Sequence, residues 1–330
     1  MQPSRRDAIR SLSGWMAVAT CGAVLSPGNS TIAADDASRD DPYVDTHLHV
    51  ASSRLSRAAT HTLPPPFNLT LQPGGAERLA RLIEQELKAA RVGHALCMPC
   101  AAVSDADPLG IELSVKQADL IKGPKLQFIG VAHPERFDRD HLARVEEVLK
   151  QGKVKALKAY LGYLHYDPLN AGYRPYYRLA AKYNIPVIFH TGDTYFPDAK
   201  VKFAHPLAVD ELAVDFPETK FVLAHFGNPW ILDAAQVVYK NENVYVDLSA
   251  FLIGDETAFA RMETDGTIER TVKRVREGIE YAETPERFLF GSDWPLSPIA
   301  VYRQFVERLF PKEDHAAVLG MNAKKLFGLE

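Results

Sequence analysis

A chain of 330 residues, 46% hydrophobic and 24% charged, suits a large soluble domain with a substantial core. The formal net charge is −4 and no basic block follows the N-terminus, which argues against nucleic acid or an anionic membrane as partner. A small molecule is the partner that remains.

The first 34 residues stand apart from the rest. Ser4-Arg5-Arg6-Asp7-Ala8-Ile9-Arg10 precedes a mildly apolar run from Trp15 to Leu25 and the small residues Ile32-Ala33-Ala34, the layout of a removable export signal. It is similar to a twin-arginine signal, with Ala8 where that pattern usually carries Phe. The expectation is therefore a chain handled by the twin-arginine translocase and found in the periplasm or otherwise exported. The apolar run is too short to span a bilayer, so no stable membrane insertion is expected. Thr20 disfavours lipoprotein cleavage at Cys21. Cleavage near Ala34 removes Arg5, Arg6, Arg10 and Asp7, two net positive charges, and leaves the mature chain at −6.

From residue 42 to 330 one domain is predicted, in which β-rich apolar runs alternate with helical patterns. The strands are read at 43–50, 94–100, 126–133, 154–161, 185–190, 220–225, 243–249 and 287–291. Leu79, Leu82, Ile83 and Leu87 recur at helical spacing before Gly93, and Leu142, Val145, Val148 and Leu149 do so before Gly152. Both glycines are read as left-handed helix caps. Further helices are predicted at 110–122, 172–183, 206–215, 230–241, 268–281, 297–310 and 313–327. Eight strand-then-helix units specify an α/β fold, a single (β/α)8 TIM barrel, and no Gly-x-Gly-x-x-Gly follows any strand to favour an open nucleotide-binding sheet. The long loops 51–72, 191–205 and 252–267 all follow strands, so all overhang one mouth.

In such barrels the chemistry sits where the strands end. His47 and His49 lie two apart on the first strand, so both imidazoles leave the same face and can grip one cation. His190, His225 and Asp293 close the fifth, sixth and eighth strands. Lys158 closes the fourth and is read as binding substrate through its ammonium charge, or else as a solvated strand-end lysine. Tyr160 points the same way and either lines the pocket or packs. Asp247 on the seventh strand is read as support for a histidine rather than a catalytic group. Cys97 and Cys100 are read as packing residues, with a disulfide between them open after export. Arg54, Arg57 and His61 either meet an anionic substrate or form a solvated loop face.

Asp45-Thr46-His47-Leu48-His49, Phe189-His190-Thr191-Gly192, Ala224-His225-Phe226-Gly227, Gly291-Ser292-Asp293-Trp294-Pro295 and Asn322-Ala323-Lys324-Lys325-Leu326-Phe327-Gly328 together resemble the amidohydrolase superfamily, in its amidohydrolase-related branch. The resemblance covers Tyr43 to Glu330. It implies a barrel of the metallo-dependent hydrolase type and one divalent ion, most often zinc, held by His47, His49, His190 and Asp293. It also implies His225 nearby as proton carrier or carbonyl polariser. In two-metal relatives a fourth-strand lysine is carboxylated and bridges the ions; in the mononuclear branch it is no ligand. Independently of the family, histidines suit zinc, and an open ligand position lowers the pKa of water to about 7. Asp293 is the candidate general base.

The expected reaction is hydrolysis of a C–O or C–N bond in a lactone, ester or amide. The alternative is a metal-dependent non-oxidative decarboxylation, disfavoured by His47 where several decarboxylases of aromatic acids carry Glu. A glycosidase would need two carboxylates flanking the bond, and strand ends dominated by histidine argue against it.

Overall fold

The computed structural model describes residues 43–51, 66–99 and 103–329. The export signal, Cys21, Arg54, Arg57, His61 and Cys100 lie outside the described residues.

All eight expected strands form: β1 (Tyr43–Leu48), β2 (Val92–Cys97), β3 (Lys125–Val131), β4 (Val154–Ala159), β5 (Val187–His190), β6 (Phe221–Ala224), β7 (Val244–Asp247) and β8 (Phe288–Leu289). They pair in parallel in sequence order. Past β8 the chain leaves regular strand geometry yet closes the barrel on β1, through Thr46 N–H to Phe290 O (3.0 Å), Asp293 N–H to His47 O (2.9 Å) and His49 N–H to Trp294 O (3.1 Å). Helices on the outside complete a (β/α)8 barrel.

Strand alternation explains where the site sits. Val44, Leu96, Ile129, Ala156, Ile188, Val222 and Leu289 form a buried apolar layer inside the barrel. Leu326, Phe327 and Leu329 join that layer, so the C-terminal segment closes the barrel floor. Two residues further along β4 and β5, on the same face, come Lys158 and His190. The polar site therefore rests on an apolar floor. A second and larger core of Leu, Val, Phe and Tyr fills the space between sheet and helices.

Two local readings change. Arg91, with φ 58°, makes the left-handed turn after the helix Gly75–Ala89, while Gly93 is already within β2. Gly152, with φ +74°, does take the left-handed conformation expected of it. The stretch 252–267, read as loop, contains the helix Glu256–Thr264, because Asp255 caps it by accepting from Ala258 N–H (2.8 Å) and Phe259 anchors it. One anchoring residue gives too weak a periodic signal to find in sequence. No helix among the described residues is long and apolar enough to cross a membrane.

His141 shows how burial couples the core to pH. It lies on the helix Arg139–Leu149, fully buried, with its ring edge-on to Tyr176 and neither ring nitrogen hydrogen-bonded among the described residues. Burial, reinforced by Arg136, lowers its pKa below the ordinary 6.5. The unfolded chain therefore takes up the proton first, so the contribution of the neutral ring is complete above pH 6.5 and is lost as pH falls below it. His141→Phe is expected to reduce the decline in the urea midpoint between pH 7 and 5. An equal decline in both proteins would show that this ring does not contribute.

Candidate active site

The metal-binding expectation rests on donors that come from opposite ends of the chain. His47 donates through Nδ1 to Asp247 Oδ2 (2.6 Å), which leaves its Nε2 facing inward. His49 Nε2 stands 3.2 Å and His47 Nε2 3.6 Å from the same oxygen, Asp293 Oδ1. Two ligands of a tetrahedral ion with bonds of about 2.1 Å lie about 3.4 Å apart, so each histidine already has the spacing to Asp293 that an ion asks for. Their donor atoms all lie within 4.8 Å of one another.

The remaining histidines sit beside this group. His190 donates through Nε2 to the carbonyl of Asp193 (2.8 Å), and its Nδ1 lies 3.1 Å from His225 Nε2. His190 is thus next to the His47–His49–Asp293 group and faces His225 instead of Asp293. Both His225 (φ 61°) and Asp293 (φ 55°) occupy the left-handed region, unusual for their side chains, at the two turns that leave β6 and β8. The backbone bond from Asp293 to His47 holds one of these turns.

Burial sets the protonation states. It lowers the pKa of His49, takes His190 well below the ordinary value with help from His225, and brings His225 down to about 4. These rings are neutral at neutral pH, the form that binds metal. For Asp293 burial acts upward, but His47 and the hydrogen bond from His49 outweigh it and keep the carboxyl well below its usual range. Asp247 behaves in the same way through His47. The site therefore fits a divalent cation: neutral imidazoles at His49, His190 and His225, an ionised carboxylate at Asp293, and a second carboxylate, Asp247, that orients His47 from behind.

Lys158 is not a solvated strand-end residue. It is 1% exposed, its Nζ has no hydrogen-bond partner among the described residues, and it stands 5.6 Å from the centroid of the Tyr160 ring. Burial lowers its pKa to about 8, against the pull of Asp247 and Asp293. The Tyr160 hydroxyl donates to Pro99 O (2.8 Å), so the ring wall rather than the hydroxyl faces Lys158.

Three supporting residues escaped sequence reasoning. Asp45 accepts from His47 N–H (3.0 Å), Ser292 N–H (3.0 Å) and Ser292 Oγ–H (2.6 Å), tying β1 to the segment after β8. Ser249 bonds to Asp247 and His225. Tyr163 packs its ring 4.7 Å from that of His190. The Asp-x-Ser spacing of Asp247 and Ser249 was the available signal for the second; a tyrosine in a loop gives none.

The amidohydrolase family pattern matches residues 44–329, and the chain belongs to that family. It is an enzyme of the amidohydrolase superfamily, acting on a small molecule. Among solved structures it is similar to 5-carboxyvanillate decarboxylase from Sphingomonas paucimobilis, at 15% identity and TM-score 0.60 over 87% of this chain and 99% of that one. It is also similar to dihydroorotase from Campylobacter jejuni (16%, TM-score 0.53, 87% and 83%). A third is a dihydroxybenzoic acid decarboxylase from a Polaromonas species with bound manganese (13%, TM-score 0.59, 87% and 97%). At these identities the likeness is one of fold. No curated protein matches the chain.

Proposed function

We propose that this enzyme is a metal-dependent hydrolase that opens a C–O or C–N bond of a small anionic substrate, a lactone, ester or amide. The observation that carries the reading is the convergence of His47, His49 and Asp293 beside a buried ammonium group with no hydrogen-bond partner among the described residues. His47, His49 and Asp293 would hold a divalent ion, with His190 and His225 as adjacent nitrogen donors. When bound, such an ion polarises the scissile group and makes water acidic enough to attack near neutral pH.

The chain's own groups do the rest. Asp293, ionised and fixed by His49, accepts the proton that water loses and returns it to the leaving group. Lys158 orients the substrate through a charge-assisted contact with its carboxylate, a group that would satisfy the Nζ protons. Tyr160 and Tyr163 wall the pocket around it.

Elemental analysis of the purified protein, combined with a panel of lactones, esters, amides and aromatic acids, tests this reading. The expected result is one divalent ion per chain and turnover of a hydrolysable substrate, lost on chelation. Release of CO2 from an aromatic acid would replace hydrolysis by decarboxylation. Two ions per chain with a carboxylated Lys158 would replace the substrate-binding role of that residue.

A further inference from the structure

We infer that Ser249 is a positioning residue that holds His225 in the Nδ1–H tautomer, so that His225 presents a bare Nε2 lone pair to the site. An ionised carboxylate only accepts, so in the contacts to Asp247 the protons belong to its partners. Asp247 Oδ2 takes the Nδ1 proton of His47 (2.6 Å). Asp247 Oδ1 takes Ser249 N–H (2.8 Å), the Ser249 hydroxyl proton and, at 3.4 Å, His225 N–H. Ser249 has one hydroxyl proton, and it is spent on Asp247. Its oxygen then acts as acceptor towards His225 Nδ1, 2.8 Å away, so that nitrogen carries the proton. Ser249 Oγ also lies 3.3 Å from His47 Nδ1, whose proton already goes to Asp247.

The consequence concerns what His225 can do. In this tautomer the neutral ring donates nothing through Nε2, so it cannot polarise a carbonyl by hydrogen bonding. It can only receive a proton or an electrophile. The facing atom strengthens the point: His190 Nε2 gives its proton to the Asp193 carbonyl, so His190 Nδ1 is bare too. Two lone pairs 3.1 Å apart repel unless a cation or a proton lies between them. Ser249, wholly buried and two residues beyond Asp247, thus relays to His225 the orientation of the carboxylate that also holds His47 directly.

The test reads proton positions and needs no substrate, so its outcome is independent of whether the proposed hydrolysis is correct. Full-length protein labelled with 15N at histidine is reloaded with Zn2+, and the His225 ring signals are assigned by their loss in His225→Gln. Long-range 1H–15N spectra are expected to show a directly bonded proton on Nδ1 of His225 and none on Nε2. Ser249→Ala is expected to lose the Nδ1-bound proton in favour of Nε2, and Ser249→Thr, which keeps the hydroxyl, to retain it. Unchanged His94 and His141 signals report that the variants remain folded. A wild-type His225 protonated on Nε2 overturns the inference, as does a folded Ser249→Ala with the tautomer unchanged; if the variants do not fold, the wild-type spectrum alone decides.

Discussion

Asp293→Asn is expected to lower kcat by about 10²–10⁴-fold while part of the metal stays bound. The substitution keeps the shape and one oxygen, so His47 and His49 still face a neutral ligand atom at the place where Asp293 Oδ1 now stands 3.6 and 3.2 Å away. What it removes is the ability to accept a proton, because an amide oxygen is a far weaker base than a carboxylate. Metal content measured alongside turnover separates the two effects. Wild-type turnover with the ion retained would contradict the general-base role, whereas complete metal loss would make Asp293 chiefly a ligand.

Gly192→Ala is expected to destabilise the fold by about 3 kcal/mol or more, read from urea unfolding. Gly192 follows His190 with φ +91°, a conformation L side chains rarely adopt, and a Cβ there would lie 2.2 Å from the carbonyl oxygen of Asn228. The obstacle is backbone, so no side chain can rotate away. The same contact region holds Asp193 N–H on Asn228 O (2.7 Å) and Gly192 N–H on Ala204 O (2.7 Å), which fix the turn that orients His190. A variant within 0.5 kcal/mol of wild type, the scale of an ordinary surface substitution, would mean that this turn yields easily.

The barrel was legible in the sequence because each strand ends in a change of period. The histidines at 47, 49, 190 and 225 and Asp293 were legible because strand ends are where such a fold places its chemistry. Their mutual orientation was not. That His190 turns Nδ1 to His225 depends on the Asp193 carbonyl, a backbone atom with no signature in residue type. Lys158 shows the same limit in another form. Its position on β4 could be read, but its burial depends on what surrounds it inside the barrel, and a lysine at a strand end looks identical in sequence whether wet or dry. The helix Glu256–Thr264 was hidden because a single buried phenylalanine carries its packing.

The closure of β1 by the segment after β8 has a consequence for synthesis. The first donors, His47 and His49, leave the ribosome long before Asp293, and the floor residues Leu326, Phe327 and Leu329 come later still. Until residues 292 and 293 emerge, the His47 carbonyl lacks Asp293 N–H and Asp45 lacks Ser292, so a nascent chain holds only part of the candidate cation site. Contacts between the two ends of a chain are the slowest to form. A chain truncated before residue 293 keeps His47, His49, His190 and His225 but lacks the one carboxylate whose oxygen stands 3.2 Å from His49 Nε2, so it would hold a cation less well than the longer chain.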